Sequence, residues 1–131
     1  TNIIKKSSNK NKASIVTQDE NKNLLQIIYF DFDRNDLSEI SKTEIKKFIK
    51  ENKEKINKYI IIGHTDTMGT DKYNMKLSLE RAKSVESILL KFGIKKNNIK
   101  LLARGEKDLR VKTDNEVPHP ANRRAEISPL N

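Results

Sequence analysis

The chain has 131 residues, a length that suits a single domain with one hydrophobic core. It contains no cysteine, which excludes disulfides, thiolate chemistry and cysteine-based zinc sites, and it has no apolar run of the roughly 18 residues that a membrane-spanning helix needs. The 27 basic and 18 acidic residues give a net charge of +9, an excess that favours polyanionic partners such as nucleic acid, an anionic membrane surface or an acidic polymer.

Residues 1–24 differ in composition from the rest of the chain. They are rich in Lys, Asn and Ser, show no sustained hydrophobic periodicity, and hold five lysines against two acidic residues. Such a segment has too few apolar side chains to form a core. The sequence therefore predicts a flexible basic linker or arm over residues 1–24 and one folded domain over residues 25–131.

The first two predicted elements are a strand and a helix. β-Branched and aromatic residues dominate residues 24–32, and alternate side chains there fall on one face of a strand. These side chains are Ile28, Phe30 and Phe32. Ser41 and Glu44 have the spacing of a capping box and predict the start of a helix. Apolar residues then recur at helical spacing, namely Ile45, Phe48, Ile49 and Ile56.

A second strand and a second helix follow. The apolar run over residues 59–62 stops at Gly63 and is typical of a central strand covered by helices on at least one face. The next helix is predicted from about Tyr73 to Phe92. Its inward stripe repeats every three or four residues and consists of Ala82, Val85, Leu89 and Phe92. Gly93 is the expected left-handed residue after this helix, and Ile94 can close the hydrophobic contact behind it.

The remainder predicts two more strands, over residues 99–103 and 122–127, separated by a long polar connection over residues 105–121. The order is therefore β-α-β-α-β-loop-β. This order predicts an α+β fold, a two-layer sandwich in which both helices pack on one face of a mixed four-stranded sheet.

Three polar residues stand near the junction of the second strand and the second helix. Asp66 follows the strand, and strand ends that face helix starts are where such layers bind ligands. Asn74 and Arg81 are two helical turns apart, so they project from nearly the same face about 10 Å apart along the axis. A carboxylate, an amide and a guanidinium that converge in this way suit a zwitterion such as an amino-acid head group. Spacing alone leaves a second interpretation open, in which Asp66 and Arg81 pair with each other and pin the loop to the helix.

The stretch GHTDTMGTDKYNMKLSLERA, residues 63–82, resembles the OmpA-like peptidoglycan-binding domain. This family includes outer-membrane protein A, the peptidoglycan-associated lipoprotein and the flagellar stator protein MotB. The signature G-H-T-D-x-x-G-x-x-x-Y-N-x-x-L-S-x-x-R-A is matched at every fixed position, RGE and NRRAEI follow, and the likeness extends over about residues 27–127. The resemblance implies a noncatalytic domain that binds peptidoglycan noncovalently through a diaminopimelate-type residue of the stem peptide.

The resemblance also implies roles for individual residues. Asp66 and Arg81 match the pair that grips the ammonium and the carboxylate of the diamino acid, and Asn74 matches an amide of the same pocket. Asp33 stands where the family has an Asn or Asp beside the ligand, and Arg123 matches a basic residue at the pocket edge. The implied peptidoglycan-binding residues, including one apolar wall residue, are Asp33, Asp66, Asn74, Leu77, Arg81 and Arg123.

For the whole protein the resemblance implies a periplasmic domain that tethers the outer membrane, or an envelope complex, to the wall. Peptidoglycan and other envelope proteins are the implied partners, and no cofactor is implied. Any export signal or anchor would lie upstream of Thr1, and the sequence leaves open whether the domain follows a β-barrel, a lipidated N-terminus or an inner-membrane helix. The chain departs from the family pattern in two places: Ala103 replaces a common glycine, and the connection over residues 105–121 is long enough to form a lid or to contact glycan. A subset of family members has such an insertion, so the resemblance does not imply a loss of function.

Other functions have weaker support in the sequence. His64 and Asp66 have the spacing of metal ligands, but His119 is the only other histidine, so no metal site is predicted and His64 is expected to form a hydrogen bond within its turn. Ser78 has no histidine base in the pattern, which argues against an enzyme with a serine nucleophile. The alternative function is a basic nucleic-acid-binding module, which the charge favours, although the sequence has no Gly-rich or aromatic RNA-binding signature and nucleic acid is not the expected partner.

Overall fold

A computed structural model of the chain describes residues 24–131. The predicted arm lies outside these residues, apart from Leu24. Four strands, two α-helices and two short 3₁₀ helices form within the described range. The strands and α-helices are β1 (Gln26–Tyr29), α1 (Glu39–Asn52), β2 (Tyr59–Gly63), α2 (Asp71–Lys91), β3 (Ile99–Ala103) and β4 (Arg124–Pro129). The 3₁₀ helices are Lys96–Asn98 and Pro120–Asn122.

The four strands form one mixed sheet in the order β1-β4-β2-β3. β4 runs antiparallel to both of its neighbours, whereas β2 and β3 are parallel and are joined by α2. The side chains that the sheet buries with both helices alternate along the strands and are Ile28, Tyr59, Ile61, Ala125 and Ile127. Both helices therefore cover the same face, and the predicted α+β two-layer sandwich is confirmed.

The predicted helical stripes supply most of the core. All four apolar residues of the first stripe are buried, although Ile56 follows the end of α1. In the second stripe Ala82, Val85 and Leu89 have no exposed surface, but the prediction for Phe92 is wrong because 42% of its surface is exposed. Phe92 follows the last residue of α2, where the chain leaves the helix, and its ring lies 5.4 Å from Lys46 Nζ.

Gly93 ends the second helix as predicted. Its φ of +95° is the left-handed conformation that glycine adopts without steric cost. The Ile94 N–H donates to the Leu89 carbonyl at 3.0 Å, and the Ile94 side chain packs against the core. The hydrophobic contact expected behind the glycine is confirmed.

The starts and ends of two elements differ from prediction. Ser38, rather than Ser41, caps α1, because the Ser38 hydroxyl accepts the Ser41 N–H at 3.1 Å and the helix begins one turn earlier. β1 ends at Tyr29, and 51% of the Phe32 surface is exposed instead of facing the core. The chain has already turned at this point, with Asp33 in the left-handed region at a φ of 58°.

Gly63 allows α2 to lie directly on β2. A Cβ atom at this position would be 1.8 Å from the Ser78 carbonyl oxygen, which is far inside van der Waals contact. No other residue type fits without displacing the helix. This close approach fixes α2 above the end of β2 and so determines where the polar side chains of the helix lie relative to the turn that follows the strand.

Candidate functional site

The turn between β2 and α2 is polar and almost completely buried. His64, Thr65, Asp66 and Thr67 each expose 4% or less of their surface. Burial of four successive polar residues is costly unless each is hydrogen-bonded, so the neighbouring segments must supply partners.

The Asp66 carboxylate has three partners. One oxygen accepts the Met68 N–H at 3.1 Å, and the other accepts the His119 N–H at 3.3 Å and lies 3.4 Å from Arg123 Nη1. Asp66 therefore pairs with Arg123 and not with Arg81 among the described residues. The direct Asp66–Arg81 pair that the spacing left open does not form.

The Arg81 guanidinium is bound by the backbone instead. Nε donates to the Arg34 carbonyl at 2.8 Å, Nη1 to the His64 carbonyl at 2.9 Å, and Nη2 to the Asp31 carbonyl at 3.1 Å. The ring centroid of Phe30 lies 5.2 Å away, and the residue has no exposed surface. Burial lowers the pKa of Arg81 to about 10, so the side chain stays charged at neutral pH. Arg81 thus joins the β1–α1 loop to the turn after β2.

Asn74 holds the turn from the other side. Its side-chain amide donates to the Met68 carbonyl at 2.8 Å and to Glu106 Oε1 at 2.9 Å, and only 1% of the residue surface is exposed. These contacts fix the backbone of the turn and bring the start of the β3–β4 connection against α2. Asn74 therefore positions the wall of the site through its own hydrogen bonds.

A cavity of about 660 Å³ opens between this turn, the first turns of α2 and the β1–α1 loop. Its wall contains every residue that the family resemblance implies for peptidoglycan binding: Asp33, Asp66, Asn74, Leu77, Arg81 and Arg123. Side chains more than 50 residues apart in sequence are thus brought together, as predicted. Their role in binding a ligand stays a prediction.

Sequence reasoning did not assign the rest of the wall, which consists of Phe32, Met68, Gly69, Thr70, Tyr73 and Glu116. The signature contains Gly69 and Tyr73, but as fixed positions without a ligand role. Phe32 was expected in the core, and Glu116 belongs to the long connection, in which the resemblance implies no site residue before Arg123. The length of that connection was the one signal that pointed to it.

The cavity combines charged groups with an aromatic rim. Asp33 accepts a hydrogen bond from the Tyr73 hydroxyl, and this bond raises the pKa of Tyr73. About half of the surface of Tyr73 and of Phe32 is exposed. Arg123 donates through Nε to the Phe30 carbonyl at 3.1 Å, and 15% of its side chain is exposed. A zwitterionic ligand with a short apolar chain matches this combination of opposite charges and apolar surface.

The β3–β4 connection, residues 104–123, packs against the turn through Thr67. The Thr67 hydroxyl donates to the Asp114 carbonyl at 2.7 Å and accepts the Val117 N–H at 3.1 Å. At the base of the connection the Asn122 amide exchanges two hydrogen bonds with the Val111 backbone, at 2.9 and 2.8 Å. The connection is therefore held in place along its length.

His64 does not form the hydrogen bond that was expected within the turn. Both of its ring nitrogens are buried and have no hydrogen-bond partner among residues 24–131. Nε2 lies 3.8 Å from Glu126 Oε1, on the side of the sheet away from the helices, while Arg124 Nε lies 2.8 Å from the other carboxylate oxygen. The His64 imidazole and the Arg124 guanidinium together lower the pKa of Glu126 to about 2, against the opposing effect of burial.

The described residues were compared with what a metal site and a membrane-spanning helix require. No three His, Asp or Glu side chains of residues 24–131 lie close enough together to hold a metal ion. Neither α1 nor α2 combines the length and the apolar composition that crossing a bilayer requires.

Known proteins resemble the chain in both sequence and fold. The chain is 31% identical to the peptidoglycan-associated lipoprotein of Pseudomonas putida over 99 residues, which are 76% of this chain and 60% of that protein. The chain spans about 60% or less of the length of the first curated relatives that it matches.

Solved structures show the same fold. The OmpA-like domain of FopA1 from Francisella tularensis superposes with a TM-score of 0.70 at 25% identity, covering 82% of this chain and 73% of that one. The peptidoglycan-associated lipoprotein from Burkholderia pseudomallei gives a TM-score of 0.67 at 25% identity, covering 78% of this chain and 87% of that one. Residues 29–123, which include both helices and the complete turn after β2, match the model of the OmpA family. Because this family model matches most of the chain and the relatives share its fold, the chain belongs to the OmpA family.

Proposed function

We propose that this domain binds cell-wall peptidoglycan noncovalently, through the diaminopimelate-type residue of the stem peptide. The observation that carries the proposal is the cavity itself, whose wall gathers three carboxylates and two guanidinium groups beside the apolar surface of Leu77 and the aromatic rim. Two of the similar proteins are named for their association with peptidoglycan, which supports the same ligand.

The ligand has a free amino-acid head group, with an ammonium and a carboxylate on one carbon. The carboxylate faces the arginine side of the cavity. Arg123 is the partly exposed guanidinium there, and it has donors beyond those that contact Phe30 and Asp66. Arg81 adds a buried positive charge below, where the low local dielectric makes it effective.

The ammonium faces the acidic side of the cavity. Asp66 lies at the base and Asp33 at the rim, so the ammonium lies between two negative charges. Leu77 contacts the carbon chain of the diamino acid, and Asn74 keeps the turn in the conformation that presents Asp66. Each charge-assisted contact is worth roughly 1.5–3 kcal/mol, so two of them separate a peptide with this head group from one without it.

In the cell the domain tethers the outer membrane, or an envelope complex, to the wall from the periplasmic side. It acts as a binding module and not as an enzyme. A single site of this size binds weakly, but a polymer that repeats the ligand many times holds an array of such domains through avidity.

The test is sedimentation with purified sacculi, with and without nuclease treatment, followed by competition with free diaminopimelate. We expect binding that resists nuclease and that free diaminopimelate displaces. Asp33→Asn should weaken binding, whereas Asp108→Asn, a matched loss of one exposed carboxylate outside the cavity, should not. Binding that disappears with nuclease would favour a nucleic-acid partner, and binding that diaminopimelate does not displace would contradict the proposed ligand.

A further inference from the structure

The β3–β4 connection places in the cavity one carboxylate, that of Glu116, to which the family resemblance assigns no role. Glu116 lines the same wall as Gly69, Thr70 and Tyr73. We propose that Glu116 is a specificity-determining residue that contacts the ligand ammonium and selects a free amine over an acylated nitrogen. This inference rests on the proposed function of the cavity.

The backbone around Glu116 is fixed on both sides. The Glu116 N–H donates to the Thr67 carbonyl at 3.1 Å, and the Thr67 hydroxyl binds the backbone of Asp114 and Val117. Glu116 itself has a φ of 59°, in the left-handed region that residues other than glycine rarely adopt. Such a conformation persists only where the surroundings impose it. The direction of the Glu116 side chain is therefore set by the turn after β2.

The side chain reaches back over the entrance to α2. Glu116 Oε1 accepts the Gly69 N–H at 3.3 Å, which brings the carboxylate to the mouth of the cavity. Its second oxygen has no hydrogen-bond partner within residues 24–131, and the residue is exposed. Glu116 thus keeps an acceptor for a ligand while its other oxygen fixes its position.

The balance of charge in the cavity wall depends on this residue. Asp33, Asp66 and Glu116 supply three negative charges, against two positive charges from Arg81 and Arg123. Without Glu116 the wall is neutral; with it, the wall has a net charge of −1 and favours a ligand whose end carries an additional positive charge.

The carboxylates also differ in how many acceptor positions they have left. Asp66 already accepts from Met68, His119 and Arg123, so most of its capacity is used inside the protein. Asp33 and Glu116 each engage one oxygen and are exposed at the rim. An ammonium has three N–H donors and a full charge, whereas an acylated nitrogen has one donor and no charge. Glu116 distinguishes an ammonium from an acylated nitrogen because its carboxylate attracts the positive charge and can accept from the additional N–H donors.

The experiment is an NMR titration of the domain with two probes, diaminopimelate and its N,N′-diacetyl derivative, in which neither end keeps a free amine. The variants are Glu116→Gln and, as a matched control, Asp114→Asn, which removes one negative charge two residues away in the same connection without lining this cavity. Glu116→Ala is a second test of the same position. Circular dichroism checks that each variant is folded.

We expect the unmodified domain to prefer diaminopimelate by about tenfold or more, as the loss of one charge-assisted hydrogen bond predicts. Glu116→Gln and Glu116→Ala should lower the affinity for diaminopimelate by a similar factor and remove the preference, and Asp114→Asn should keep both. If the unmodified domain binds diaminopimelate and the Glu116 variants retain the same affinity and preference, the inference is overturned and the proposed function stands. If the unmodified domain binds neither probe, the proposed function fails as well.

Discussion

Replacement of Arg81 should destabilise the domain as well as weaken ligand binding. The guanidinium makes three hydrogen bonds to backbone carbonyls, and Arg81→Ala removes all of them at once. Hydrogen bonds from a charged donor contribute about 1.5–3 kcal/mol each, so even the low end gives about 4–5 kcal/mol for the set. The cost of burying the charge, seen in the pKa lowered to about 10, offsets part of this gain. We expect a net loss of about 2–4 kcal/mol in the free energy of unfolding.

Arg123→Ala is the matched comparison for the loss in unfolding free energy that Arg81→Ala causes. Arg123 makes a hydrogen bond to the Phe30 carbonyl at 3.1 Å and an ion pair with Asp66 at 3.4 Å, and it is partly exposed. Its removal deletes two such contacts rather than three, so it should cost less stability than that of Arg81, about 1–3 kcal/mol, and should still weaken binding to sacculi. Arg81→Lys should recover little stability, because one ammonium cannot reach three carbonyls that a planar guanidinium spans.

The assay is urea unfolding followed by circular dichroism, with sacculus sedimentation on the same samples. Domains of this size have about 5–15 kcal/mol in total, so a loss of 2–4 kcal/mol shifts the midpoint visibly while leaving a folded protein to test. An Arg81→Ala domain that unfolds at the same urea concentration as the unmodified one would refute the reasoning, since the three carbonyl bonds would then contribute nothing and Arg81 would act on the ligand alone.

Three other predictions concern the scaffold of the cavity. Gly63→Ala should prevent normal packing of α2, because its Cβ would lie 1.8 Å from the Ser78 carbonyl oxygen; a thermal unfolding midpoint equal to that of the unmodified domain would contradict the close approach. Folding lowers the pKa of Glu126 from its usual 4.5 to about 2, so the contribution of Glu126 to stability is complete above about pH 4.5 and is lost as the pH falls toward 2. Glu126→Gln should therefore flatten this part of a curve of unfolding free energy against pH. An unchanged curve would show that Glu126 does not cause the loss of stability in acid. Thr67→Val keeps the shape of the side chain but removes its hydrogen bonds to the β3–β4 connection, so limited proteolysis should cut residues 106–119 faster than in the unmodified domain. Equal cleavage rates would show that the Thr67 hydrogen bonds do not hold the connection in place.

Local sequence patterns were sufficient to predict most of the scaffold. Gly93 and Ile94 form a helix end that depends on a few adjacent residues, and the structure has it as predicted. The Ser38 cap of α1 was missed because Ser41, with Glu44 three residues later, matches the capping box and Ser38 does not. Only the backbone geometry shows which hydroxyl accepts an N–H group.

The contacts of the site residues were harder to predict than their location. The signature places Asp66 and Arg81 near one cavity, but the partners of each lie in distant segments. The Arg81 guanidinium binds carbonyls of the β1–α1 loop, and backbone acceptors leave no trace in side-chain spacing. The Asp66–Arg123 pair depends on how β4 enters the sheet. The position of the Glu116 carboxylate depends on the path of a long connection, which no local sequence pattern determines.

The position of β4 has a consequence for when the domain can work during its synthesis. β4 is the last of the described strands in chain order, yet it lies between β1 and β2, and β1 pairs with no other strand of residues 24–131. A nascent chain that ends before residue 123 can form the local β2-α2-β3 unit, but it leaves β1 without a partner and lacks Arg123. Under the proposed function, completion of the sheet is therefore a condition for binding, and a chain that ends before residue 123 should not bind peptidoglycan.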